Sequence, residues 1–152
     1  MVTVDDLLQF LTARYDEAEA MALAAGNGAK GEWGPRLHPG MGGHLLDGLG
    51  DVVIYDEGSP ADEQFDYIAA VDPAHRLADI KLKRAILAQY EEAVATMNEQ
   101  VAKRLGPGPV AGDVYLCADP GTLAEVGALS VVLRQLGTEF SRHPEYKAGW
   151  AP

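Results

Sequence analysis

The chain is short of sulfur and of positive charge. Its one cysteine, Cys117, leaves no partner for an intramolecular disulfide, which suits a reducing compartment and leaves burial and hydrogen bonding to hold the fold. Only 12 Lys and Arg side chains stand against 23 Asp and Glu, a formal net charge of -11. Such a surface repels a phosphate backbone, because nucleic-acid binders gain affinity by replacing counterions with Lys and Arg. DNA and RNA are therefore not expected as partners, whereas a basic protein partner is allowed. No apolar run approaches the roughly 18 residues that a membrane span requires. The opening "MVTVDDLLQF" has neither the basic region nor the long apolar stretch of a secretory signal. The expectation is a cytoplasmic protein with no membrane contact.

What is present suits one globular domain spanning 1–152. A chain of 152 residues with 47% hydrophobic residues can hide roughly 70% of the surface its unfolded form exposes. "TVDDLLQFLTARYDEAEAMALAAG" places Leu7, Leu8, Leu11, Tyr15, Ala18 and Ala22 at three- and four-residue steps, which predicts a helix. Thr3 caps its start, with Asp6 three residues later as a weak capping box, and Gly26-Asn27-Gly28 ends it. The glycines of residues 26 to 50, with Pro35 and Pro39, exclude a long helix there. Trp33 and "DVVIY", Asp51 to Tyr55, predict two short strands, a small β-hairpin or arm over 26–58. "HPGMGGHLLDGLG" between them reads as a loop.

Three dipeptides predict helix starts: Ser59-Pro60, Asp72-Pro73 and Asp119-Pro120. In each, a capping side chain precedes a proline that is preset for the first helical turn. The residue before proline is also pushed out of the helical region, so Asp72 ends one helix where the next begins. From Pro73 a long apolar pattern runs through Leu77, Ile80, Leu82, Ile86, Leu87, Tyr90, Val94, Met97, Val101 and Leu105. At 1.5 Å per residue it spans about 50 Å. "GPGPVAGD" breaks it, and 106–118 reads as a linker in which "VYLC" makes a short extended piece. Leu123, Val126, Leu129, Leu133, Leu136 and Phe140 mark the last helix, weakened by Gly127 and Gly137 unless these admit a close neighbour. His143-Pro144 ends it, and Tyr146 and Trp150 are expected to dock the tail on the core. The fold class is mainly α, with a long central helix, flanking helices and the small β element.

Candidate chemistry is sparse. "DPAHRLADIKLKRAIL" gathers His75, Arg76, Lys81, Lys83 and Arg84, but residues three or four apart share a helix face, and these charges do not fall on one stripe. Asp79 and Lys83 form an acid-before-base pair worth a few tenths of a kcal/mol. Each apolar neighbour contributes about 1.5–3 kcal/mol if buried. Burial therefore sets the orientation of this helix, and a solvated charged face is the favoured reading. An anion held by free backbone N–H groups with His75 is the lesser one.

His38, His44, His75, His143 and Cys117 show no C-x-x-C or H-E-x-x-H spacing, so no metal is expected. Cys117 has no electropositive setting to activate it. The glycine-rich piece is neither a Walker loop nor a dinucleotide fingerprint, and no cofactor is expected. The acid pairs Asp5-Asp6, Asp16-Glu17 and Glu91-Glu92 diverge by about 100° on a helix, which excludes them as two-carboxylate centres. No catalytic residue is assigned. Trp33, Tyr146 and Trp150, each able to bury 150–250 Å², are folding anchors or the walls of a pocket.

Four blocks carry a resemblance: "FLTARYDEAEA" (Phe10 to Ala20), "GEW" (Gly31 to Trp33), "YIAAVDPAHRLADIKLKRAIL" (Tyr67 to Leu87) and "HPEYKAGW" (His143 to Trp150). Together they resemble a family of small proteins of actinobacteria and their phages known as a domain of unknown function (six-two-two-one). The resemblance implies an actinobacterial or phage origin and brings no activity. Members often carry histidines where this chain has Tyr67 and Val71, and Cys- and His-containing inserts before the last helix. No histidine-based or metal role is therefore carried over.

The expected function is a non-enzymatic interaction or accessory factor of phage or prophage type that binds another protein or itself. The alternatives are a small-molecule or nucleotide-binding enzyme, in which His75, Arg76 and Arg84 meet the glycine-rich loop, and a virion structural or decoration component.

Overall fold

The computed structural model describes residues 3–26, 31–37, 43–55, 62–105 and 118–152. It is mainly helical: α1 (Val4–Ala25), α2 (Asp62–Ala70), α3 (Pro73–Leu105) and α4 (Pro120–Gly137), with strands β1 (Gly34–Leu37), β2 (Gly43–Leu46) and β3 (Val52–Tyr55) between α1 and α2. Contacts divide the chain into two compact units, Met1–Arg14 with Lys83–Pro152, and Tyr15–Leu82. The expected Ser59-Pro60 start, the 106–117 breaker run with its extended piece, His38 and Cys117 lie outside the described residues.

The first unit begins at the capping box. The Asp6 N–H donates to Thr3 Oγ1 at 3.1 Å, and the Thr3 N–H donates to the Asp6 carboxylate at 3.2 Å. The Thr3 backbone N–H is the main cause holding the Asp6 carboxyl below its ordinary range, with Lys147 adding to it. The predicted α1 stripe is real: Leu7, Leu11 and Tyr15 are fully buried, and Ala18 and Ala22 nearly so, whereas Leu8 is half-buried. Phe10, not on that stripe, is buried at the centre of an aromatic cluster. Its ring centroid lies 6.0 Å from Phe140, 5.6 Å from His143, 6.3 Å from Tyr146 and 4.9 Å from Trp150. The docking expected of the tail thus occurs. Trp150 is 3% exposed, and its indole N–H donates to the Thr3 carbonyl at 3.3 Å.

α3 runs unbroken for 33 residues, about 50 Å at 1.5 Å per residue. Ile80, Leu87, Tyr90, Ala93 and Val101 are its buried line. Leu82 does not belong to it and is 65% exposed. Two positions beyond Ile80 is about 200° around the helix, so both cannot face one core.

α4 starts as the Asp119-Pro120 pair predicts, with Asp119 in extended conformation and its carboxylate accepting from the Thr122 N–H at 3.0 Å and the Thr122 hydroxyl at 2.6 Å. Gln100, on α3, accepts from the Asp119 N–H at 2.9 Å and donates to its carboxylate. These bonds, Thr122 first, hold the Asp119 carboxyl down at about 2. A β-carbon on Gly137 would meet Leu7 Cδ1 at 3.1 Å, whereas one on Gly127 would meet nothing within 4 Å. Gly137 therefore serves close approach and Gly127 does not.

In the second unit the expected hairpin is a three-stranded antiparallel meander, β1-β2-β3. The middle strand falls inside the stretch read as a loop. Leu45 explains it: its side chain is fully buried, and His44 and Leu45 pair with Tyr55 and Ile54. The β2–β3 turn is closed by Asp47, whose Oδ1 accepts from the Leu49 and Asp51 N–H groups, each at 2.9 Å, with Gly50 at φ 88°. β1 contacts α2.

Two outcomes are expected. Gly127→Ala raises stability by about 0.5–1 kcal/mol, the helix-interior difference between the two residues, and Gly137→Ala gives no such gain, both read by urea denaturation. Acid should weaken the fold partly through Asp119. The unfolded carboxyl takes up its proton near 3.8, the folded one only at about 2, so in that window the unfolded chain binds more protons and stability is lost as the pH is lowered. Urea midpoints followed from about pH 5 to about pH 2 should fall less in Asp119→Asn, which still caps, than in the parent chain.

Candidate functional site

The sequence-selected residues separate into two groups. Tyr146, Trp150 and Arg84 belong to the first unit, and Trp33, His75 and Arg76 to the second. In the first, Tyr146 is half-buried and stacks edge-on to Trp150 at 5.7 Å, while the Trp150 N–H is already taken by Thr3. Lys147 Nζ sits 5.1 Å over the Trp150 ring and 3.5 Å from Asp6. Arg14 lies over Phe10 at 5.5 Å, donates to His143 Nε2, and pairs with Glu145 at 3.5 Å. Here the aromatics hold the C-terminal segment to the start of α1. Arg84 is half-buried, and its neighbour Lys83 reaches Glu139 at 2.8 Å.

In the second unit, Asp72 assembles the site. One carboxylate oxygen accepts from the His75 N–H at 2.7 Å and so caps α3; the other accepts from the Trp33 N–H at 3.2 Å. The Ala74 N–H donates to the Gly31 carbonyl at 3.1 Å. Pro73 has no N–H, so the donors that an anion would need at this helix start are already engaged. His75 is exposed, and Arg76 pairs with Asp79 at 2.7 Å. The structure therefore gathers Trp33, His75 and Arg76 around one helix start, with His75 exposed and Arg76 engaged by Asp79.

Gly31 makes the arrangement possible. Its φ is 73°, which an L side chain adopts at a cost, and a β-carbon there would meet the Ala74 nitrogen at 3.1 Å and Pro73 Cβ at 3.2 Å. The loop can run against the start of α3 only with glycine at this position.

Beside it lies a cleft of about 260 Å³. Ala18, Met21, Ala22 and Ala25 of α1 form one side, spaced on one helix face. Trp33, Val71, Pro73 and Arg76 complete it. Met21 is 67% exposed and Val71 48%. Tyr67, one turn before Val71 on α2, is 69% exposed. The Trp33 indole nitrogen is buried and has no hydrogen-bond partner among the described residues. Met21 belongs to no motif in the sequence, and Val71 stands out there only as a position where the resembled family often has histidine. The only signal for Met21 was a helix face at 18, 21, 22 and 25 that stays apolar where its charged neighbours diverge.

Among the described residues, no three His, Cys, Asp or Glu side chains are placed to share a metal ion, and no helix is long and apolar enough to cross a membrane. A model of DUF6221, a family of unknown function, matches residues 4–152, and the chain belongs to that family. Comparison with curated proteins returns no match, and neither does comparison with solved structures.

Gly31→Ala is expected to lower stability by about 1–3 kcal/mol, the cost of forcing a side chain into this backbone, and to move Trp33 emission to longer wavelength. Glu32→Ala, at the adjacent exposed position, should change neither. Urea denaturation followed by tryptophan fluorescence reads both effects.

Proposed function

We propose that this chain works by binding another protein, as an interaction or accessory factor and not as a catalyst. The observation that supports it is the apolar surface at the Trp33 cleft, where Met21 and Val71 are exposed in a lining that includes an indole N–H with no acceptor among the described residues. Exposed Leu, Met and Val are ordinary when scattered singly. Grouped around a cleft with an unanswered donor, they have the anatomy of an interface core. The chemistry the rest of the second unit offers is modest: His75 faces solvent and Arg76 is paired with Asp79. The actinobacterial or phage setting implied by the resemblance fits an accessory protein whose activity is to engage something larger.

The test uses the full chain as affinity bait in a lysate of its own organism, with light scattering on the purified protein. One protein retained in stoichiometric amount, and lost with Met21→Lys, is the expected result. A bait that retains nothing, together with a strictly monomeric species, would sink the proposal.

A further inference from the structure

The Trp33 cleft has chemistry definite enough to specify its occupant, and we infer that it receives a single bulky apolar side chain from a partner protein segment whose neighbouring residues are Lys or Arg. The inference rests on the protein-binding reading above and adds the chemistry of the partner.

Size comes first. At about 260 Å³, the cleft falls below the roughly 300–1,000 Å³ of pockets that enclose drug-sized ligands. It suits one Leu, Met or Phe side chain entering from a surface. The floor on α1 is made of alanines at 18, 22 and 25, which leave the space. Met21, at the rim, is unbranched and polarizable and adapts its shape to what enters.

The polar requirement comes next. The Trp33 indole N–H is buried and without an acceptor among the described residues. A partner backbone carbonyl next to the anchoring side chain would answer it. An apolar metabolite with no acceptor would not.

Charge selects the flanks. Glu32 adjoins Trp33 and is exposed, and the Asp72 carboxylate accepts from the Trp33 N–H. The one cation in the lining, Arg76, is bonded to Asp79. The whole chain carries a formal charge of -11. A negative rim attracts lysine and arginine and repels acids. The same rim disfavours a second copy of this chain as occupant, since it would bring the same carboxylates against these.

The experiment is an NMR titration of the full-length ¹⁵N-labelled chain with two synthetic peptides. One has a central Leu-Phe pair flanked by lysines; the other has glutamates in place of the lysines. The two tryptophans give separate indole N–H signals: Trp150 is bonded to Thr3 and serves as internal control. The lysine peptide is expected to shift the Trp33 indole signal and leave that of Trp150 in place. The glutamate peptide should bind at least about tenfold more weakly, and Met21→Lys should weaken the lysine peptide by about the same factor. Met21 is mostly exposed, so that variant keeps the fold; its unshifted amide spectrum is the check, and Glu32→Lys, an independent charge reversal, should weaken the lysine peptide as well.

Equal affinity for the two peptides, no binding of either, a shift at Trp150 in place of Trp33, or indifference to both substitutions overturns the inference. So does dimerisation of the chain through Met21. A partner captured in the bait experiment alongside peptides that fail here would leave the protein-binding reading standing and remove only this account of the cleft.

Discussion

The Asp72 carboxylate accepts twice, once with each oxygen, and the second unit is organised around that fact. One oxygen holds the His75 N–H, the other the Trp33 N–H. The proline that follows disfavours the helical region for Asp72, and its carboxylate caps the first turn of α3. A cap that served only the helix would be worth on the order of 1 kcal/mol. This one also fixes where the 31–33 segment runs. With Ala74 held by the Gly31 carbonyl, the strand of backbone bearing Trp33 is tied at two points to the first turn of α3. The cleft exists because those two ties place an indole opposite the alanine face of α1.

The first unit uses the same acid-proline device with a different second partner. Asp119 caps α4 through Thr122 while Gln100 reaches across from α3 to bond both its carboxylate and its N–H. A helix start is thereby joined to the helix that precedes it in the chain. At the start of α1, the reciprocal Thr3–Asp6 bonds do the local work, and the Thr3 carbonyl takes the Trp150 N–H. In all three places an orphan group of a helix end is satisfied by a residue that also carries a tertiary connection. Caps here are joints as well as stops.

That pattern explains what could be read in advance. The starts of α1, α3 and α4 were legible because Thr3, Asp72-Pro73 and Asp119-Pro120 act within four residues of themselves; the end of α4 was not, since the helix stops at Gly137 and a 3-10 turn, Thr138–Phe140, follows it. Trp150 was legible as an anchor because an indole near the end of a chain has few other fates. The middle strand was not legible: Gly43–Leu46 becomes β2 through the burial of Leu45, which only the tertiary fold supplies, through pairing with Ile54, and through a turn that Asp47 closes with its own side chain. Leu82 was misread because an apolar residue in an apolar run was counted without its angle. At the site, Trp33, His75 and Arg76 were each visible as residues of interest, but the cleft depends on bringing residues 18–25 beside residues 71–76, and no local pattern announces that. Gly31 stands in the sequence only as the first residue of the "GEW" block, and the bond from the Ala74 N–H to its carbonyl is a tertiary contact that no local pattern encodes.

The two tryptophans of the chain put the case for an open site in one comparison. Both are large, both have a buried indole nitrogen, and both lie close to a helix start. Trp150 gives its N–H to Thr3, is 3% exposed, and is ringed by Phe10 and Tyr146. Everything it needs is supplied within its own unit. Trp33 has its backbone held by Asp72 but its indole N–H unanswered among the described residues, and its neighbours Met21 and Val71 stand out toward water. A buried donor left without an acceptor costs about 1–3 kcal/mol, and native proteins keep few of them. The same fold that satisfies one indole so fully has the means to satisfy the other. Leaving it open, beside exposed apolar side chains, is the condition of a surface that is completed when something else supplies the carbonyl.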